Sequence, residues 1–127
     1  MIYLIVFIGA GLGGALRHGV NVAAARFIGP AFPYGTLFVN VAGSFLMGLL
    51  AGYFLVRPGV PQHVRLFLTT GILGGFTTFS AFSLDTALLI ERHNYGLAAG
   101  YVVGSVISSL AALFAGLALF RGAPHLP

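Results

Sequence analysis

The sequence predicts an all-α membrane protein with four transmembrane helices, the third of them broken. Of 127 residues, 58% are hydrophobic and 6% charged, with a mean hydropathy of +1.01. A domain that covers itself with a water-facing surface carries roughly 25% charged residues. Four long apolar segments, each long enough for the ~20 residues that cross a bilayer core, are separated by short polar or Pro/Gly-rich turns. The break is marked by Gly71-Ile72-Leu73-Gly74-Gly75-Phe76-Thr77-Thr78-Phe79-Ser80-Ala81-Phe82-Ser83. Its three glycines and four hydroxyls make poor membrane helix, and irregular backbone at membrane depth is tolerated only inside protein or along a water-filled path. Ion and substrate sites are built at such breaks.

The first span runs roughly from Ile2 to Ala25. No basic run precedes it and no convincing cleavage site follows, so it reads as a span rather than a signal peptide. Gly29-Pro30-Ala31-Phe32-Pro33-Tyr34-Gly35 interrupts the chain before the second span, Thr36 to Val56. Arg57-Pro58-Gly59-Val60-Pro61 ends that one, and the third runs from His63 to Ile90 with the irregular stretch inside it. Glu91-Arg92-His93-Asn94 forms the next turn, and the fourth span runs from Tyr95 to Phe120 before a short polar tail, Arg121 to Pro127. Loops this short make successive helices antiparallel neighbours. Residues 1–127 therefore read as a single four-helix transmembrane domain with both termini on one side.

Arginine placement tests orientation, because cytoplasmic loops carry the basic excess. Arg57, Arg65 and Arg121 fall on one side, and Arg17, Arg26 and Arg92 on the other. The bias is zero. Such a chain can insert both ways and pair with an inverted copy of itself, or a weak signal can still fix one orientation. Gly96, Gly100, Gly104 and Ser108 repeat every four residues on the fourth span, as do Gly48 with Gly52 and Gly9 with Gly13. Small residues at that spacing let helices approach closely, within one chain or between chains. A thin bundle of four helices favours an oligomer.

Thr36, Asn40 and Ser44 share one face of the second span, and Tyr101, Ser105 and Ser109 one face of the fourth. A single membrane-depth serine commonly bonds its own helix, but three aligned polar stripes, counting Thr77, Thr78, Ser80 and Ser83, point to a path. The groups are uncharged donors, with only Asp85 and Glu91 as carboxylates in the whole chain. That inventory suits a desolvating anion. Phe76, Phe79 and Phe82 recur every three residues; Phe76 suits plain packing, whereas a ring presenting its positive edge could attract a small anion. Arg17 could snorkel to the interface or lend positive potential to a vestibule, and Asp85 could meet an arginine or a polar cap.

Several classes are excluded. The six cations are arginines spread singly, so no nucleic-acid footprint is present. The chain has no cysteine, and no nucleophile–base pair or phosphate loop is evident, so an enzyme is not expected. Gly9, Gly11 and Gly14 match a dinucleotide pattern, but that pattern has meaning only between a strand and a helix with an acid about 20 residues on; helix packing accounts for it.

Taken together, these residues resemble the small bacterial fluoride channels, the Fluc or CrcB family. The resemblance covers essentially the whole chain. It rests on Gly13-Gly14-Ala15-Leu16-Arg17, on Pro33-Tyr34-Gly35-Thr36-Leu37-Phe38-Val39-Asn40, and above all on Thr70 to Ser83. Asp85 departs from the glutamate common in relatives. The resemblance implies a multi-pass protein of the bacterial inner membrane, assembled as an antiparallel, dual-topology homodimer with two fluoride pores. It implies pore roles for Phe79 and Phe82, a pore amide at Asn40, and a hydroxyl track of Ser80, Thr36, Tyr101, Ser105 and Ser109. It further implies a vestibule arginine at Arg17 and a structural sodium ion held at the dimer interface by backbone carbonyls of Gly74 and Thr77. The implied activity is passive fluoride export that limits toxicity. A proton-coupled multidrug exporter is the first rival, but it needs an embedded carboxylate that the first three spans lack before Asp85. A non-conducting partner subunit is the second.

Overall fold

The computed structural model describes residues 1–121. The Arg121 side chain, used in the arginine count, and the tail 122–127, with His125, lie outside the described residues. Helix α1 (Ile2–Phe27) and α2 (Tyr34–Val56) are continuous. The third span consists of α3 (Gln62–Leu66), a π-helical stretch Phe67–Leu73, α4 (Gly74–Phe76) and α5 (Phe79–Glu91). The last helix is α6 (Tyr95–Arg121). Four helical spans are long and apolar enough to cross a membrane, so the chain is a multi-pass membrane protein.

The break lies at Thr77 (φ −86°, ψ 159°) and Thr78 (φ −155°, ψ 122°), both extended. No proline makes it. Glycines at 74 and 75 weaken the helix before it, and two β-branched threonines in succession favour extended backbone. Thr78 then starts α5 by accepting a hydrogen bond on Oγ1 from Ala81 N, 3.1 Å, which satisfies one of the orphan donors of a helix start. The π-helical widening before the break was not expected from the sequence. It coincides with the closest approach of α1: a Cβ added to Gly9 would lie 2.9 Å from Gly71 Cα, and one added to Gly13 would collide with the Ile72 carbonyl.

Helix α2 packs chiefly on α6, and α1 on the first half of the third span. The α2–α6 seam is a backbone contact, with Gly48 set against the Leu113 carbonyl and Gly116 against that of Phe45. Gly96, Gly100 and Gly104 differ: open space surrounds all three, so that stripe does no packing within the protomer. The core is small. The buried apolar residues among those described are Val39, Leu73, Leu89, Ala98 and Tyr101. Leu89, Ala98 and Tyr101 form one cluster, on which Phe32, Leu37 and Phe82 pack.

The turn after α5 closes with two backbone bonds, His93 N to Ile90 O and Asn94 N to Leu89 O, both 2.9 Å. That pairing places one residue in the left-handed region, usually glycine; here it is His93, at φ 61°. Its Nδ1 lies 3.0 Å from the Tyr95 hydroxyl. The turn delivers α6 beside α5 with Tyr101 inward.

Candidate functional site

A break in a membrane helix frees backbone groups that must find partners. Here a side chain supplies them. Asn40 on α2 donates through Nδ2 to the Thr78 carbonyl (3.0 Å), and its Oδ1 accepts from Thr78 N (2.8 Å). The amide thus pairs with the Thr78 peptide as a neighbouring strand would. On the opposite side Arg17 donates through Nε to the Gly75 carbonyl, 3.0 Å. Thr77 bonds back to Leu73 O through both its N–H and its hydroxyl, each 3.0 Å.

Several carbonyls are left over, those of Gly74 and Thr77 among them. In a continuous helix Gly74 O would receive Thr78 N–H, and Thr77 O would receive Ala81 N–H. The first donor goes to Asn40 and the second to Thr78 Oγ1. Freed carbonyl oxygens of this kind suit a hard monovalent cation.

Beside the break lies a cavity of about 340 Å³, lined by Asn40, Ser44 and Met47 of α2, by Thr77, Thr78, Phe79 and Phe82 of the third span, and by Ser105, Ser109 and Leu113 of α6 among others. No carboxylate lines it. Ser105 Oγ is buried and has no hydrogen-bond partner among the described residues. An unmet buried hydroxyl costs about 1–3 kcal/mol. The Phe79 and Phe82 ring centres are 5.6 Å apart, with the rings inclined at 48°. Phe82 is anchored by Tyr101 at 5.1 Å, whereas Phe79 is 79% exposed on the protomer. Phe76 lies against Gly43 of α2, as plain packing requires.

Tyr101, 1% exposed, lines neither this cavity nor a second of about 250 Å³, but touches a lining residue of each. It stacks on Phe82, which lines the first, and donates its hydroxyl to Asp85 Oδ2 at 3.2 Å, which lines the second. Thr36, buried at the start of α2, opens on that second cavity, together with Asn21 and Arg92. The structure therefore brings Asn40, Phe79, Phe82, Ser105 and Ser109 to one cavity and Thr36 to the next; Tyr101 lines neither and contacts Phe82 of the one and Asp85 of the other. It leaves Ser80 outside both: its hydroxyl lies 3.3 Å from Thr78 Oγ1 on an exposed surface. Arg17 lines neither cavity and is engaged with the Gly75 carbonyl.

Sequence reading did not find the Asn40–Thr78 pairing, which joins residues 38 apart, nor the Tyr101–Asp85 bond. The Thr78 cap had a visible signal, a threonine three residues ahead of Ala81 at a helix start.

Comparison with known proteins adds a family. The family model described as CrcB-like protein, Camphor Resistance (CrcB), matches residues 4–117. A protein of Rhodopseudomonas palustris named fluoride-specific ion channel FluC is 64% identical over 121 residues, covering 95% of this chain and 98% of the relative. One of Methylobacterium nodulans bearing the same name is 64% identical over 118 residues, 93% and 94% of the two chains. A third, of Granulibacter bethesdensis and again of that name, is 60% identical over 121 residues, 95% of each.

Proposed function

This chain belongs to the CrcB family, and from that membership we infer that it is a fluoride-specific ion channel, not an enzyme, which lets fluoride leave the cell passively. Hydrogen fluoride enters as the neutral acid and dissociates inside. A selective pore then lets the anion run down its gradient, and no energy-coupling domain is needed.

The observation that carries this reading is the cavity beside the break. It offers hydroxyls, an amide and two phenylalanine rings without a carboxylate, and one buried hydroxyl in it has no partner among the described residues. A fluoride ion losing its water meets the hydroxyl donors of Ser109 and Ser105; beyond them Tyr101, whose own proton goes to Asp85, and Thr36 continue the polar line. Asn40 uses one Nδ2 hydrogen and its oxygen on Thr78 and keeps a second N–H for the ion. Ring edges at Phe79 and Phe82 add a weak attraction that releases the ion as readily as it takes it. Ser80, paired with Thr78, serves the approach rather than the interior. Arg17, with Nε on Gly75, retains its terminal nitrogens to give a vestibule positive potential.

The working unit is an antiparallel homodimer in the bacterial inner membrane. Support comes from the balanced arginines, the small core, the open stripe of Gly96, Gly100 and Gly104, and the exposure of Phe79, which a second copy would cover. The carbonyls of Gly74 and Thr77 would hold a sodium ion there. Bound, the ion satisfies oxygens that the break leaves without their helical donors, a structural task.

Purified protein alone in liposomes should release fluoride rapidly, read with a fluoride electrode, while chloride in parallel stays inside. Absence of fluoride efflux from well-folded protein would return the partner-subunit reading, and proton-coupled export of a cationic dye the exporter. For the assembly, reporters fused to the C-terminus should be active on both sides of the membrane; a signal from one side alone would exclude dual topology.

A further inference from the structure

The second cavity poses an electrostatic problem for an anion path. Among the described residues its lining holds one carboxylate, Asp85, on the face of α5 that also carries Leu88 and Leu89, with Arg92 just beyond the helix end. Asp85 accepts the Tyr101 hydroxyl at 3.2 Å, so a negative charge stands where the line of buried hydroxyls opens. Unopposed, that charge repels every fluoride ion that reaches the mouth. Among the described residues that line this cavity, Arg92 is the one cation.

We propose that Arg92 is a rate-determining residue of the fluoride path: at the exposed rim of the same cavity, about two helical turns along the chain from Asp85, it offsets that carboxylate and so keeps this mouth open to an anion. The assignment rests on the channel reading given above. Its structural rival is simple. Arg92 follows α5 directly, where any cation complements the helix dipole. In that role its effect would not depend on what occupies position 85. In ours it would, because the two charges act on one ion at one mouth, where the summed field changes ion entry by tenfold or more.

The test is fluoride efflux from liposomes at low ionic strength for wild type, Arg92→Gln, Asp85→Asn and the double variant. Arg92→Gln should slow efflux roughly tenfold, the lower end of focused-field effects, and adding Asp85→Asn should restore it to within about threefold of Asp85→Asn alone, the usual spread of single-interaction effects. The Arg92→Gln deficit should also shrink at about 1 M salt, where screening acts over about 3 Å. A second measurement works on protein that has already folded. The chain has no cysteine, so Arg92→Cys carries a single thiol. A cationic methanethiosulfonate forms a mixed disulfide with it, expelling the sulfinate, and should restore efflux, whereas a neutral reagent of similar size should not. Wild-type rates in Arg92→Gln, a deficit unchanged by Asp85→Asn, or equal rescue by both reagents would each overturn the assignment. If wild type itself conducts no fluoride, the channel reading fails first and this one with it.

Discussion

Asn40→Leu should abolish fluoride efflux and also destabilise the fold, a double loss that an ordinary pore-lining residue would not produce. Leucine matches asparagine closely in size but offers neither donor nor acceptor. Thr78 would lose partners for both its N–H (2.8 Å) and its carbonyl (3.0 Å). Each unmet buried backbone group costs about 1–3 kcal/mol, so the junction of α4 and α5 would lose about 2–6 kcal/mol. The extended pair Thr77-Thr78 would then lose its reason to stay extended, and Phe79 and Phe82, set immediately after it, would lose their placement. Asn40→Asp separates the two roles. It keeps an acceptor for Thr78 N–H but removes the donor and adds a negative charge to the cavity. Efflux should vanish there too, with a smaller fall in melting temperature than in Asn40→Leu. Thermal melts of the detergent-solubilised protein beside liposome efflux decide the matter: Asn40→Leu with wild-type melting would show that the amide does not hold the break.

That pairing also marks how far the sequence could be read. The four spans, their turns and the position of the irregular stretch follow from hydropathy, glycine and proline, because a bilayer admits few backbone solutions. Helix α1 ran two residues past its expected end at Ala25, to Phe27, since alanine-rich sequence continues a helix until Gly29 stops it. The hydroxyl stripes on α2 and α6 followed from spacing alone, and Ser105 and Ser109 meet Asn40 at one cavity. What a stripe does not state is its partner. Asn40 was legible as a member of a polar stripe, but Thr78, 38 residues away, is found only by folding. The π-helical turn was hidden for a similar reason: its widening answers the approach of Gly9 to Gly71, a contact between helices. Ser80 shows what spacing cannot state, since a hydroxyl in the same run can face away from both cavities within the protomer, here toward Thr78 Oγ1. The role of the glycine stripe on α6 was undecided from spacing, and the open space around it removes packing within the protomer as its explanation.

Phe82→Ile should reduce fluoride efflux by about tenfold or more while leaving assembly intact. The ring lies between Phe79, 5.6 Å away, and Tyr101, 5.1 Å away, inside the cavity that holds Asn40 and Ser105. Isoleucine preserves an apolar side chain against the Leu89–Ala98–Tyr101 cluster, so the core loses about 1–1.5 kcal/mol for a hydrophobic swap of unequal shape. It removes the quadrupole altogether. Aromatic contacts beyond area burial are worth about 0.5–1.5 kcal/mol, and about 1.4 kcal/mol at a barrier is a tenfold change in rate. Phe79→Ile tests the same idea from the exposed ring and should lower flux comparably. Its core cost is smaller, because Phe79 is little buried within the protomer. The informative comparison is Phe82→Ile against Phe82→Tyr, which keeps the ring. If tyrosine retains substantial efflux and isoleucine does not, ring electrostatics conduct the ion. Equal loss in both would assign Phe82 to shape instead, and unchanged efflux in Phe79→Ile and Phe82→Ile would remove the rings from the path.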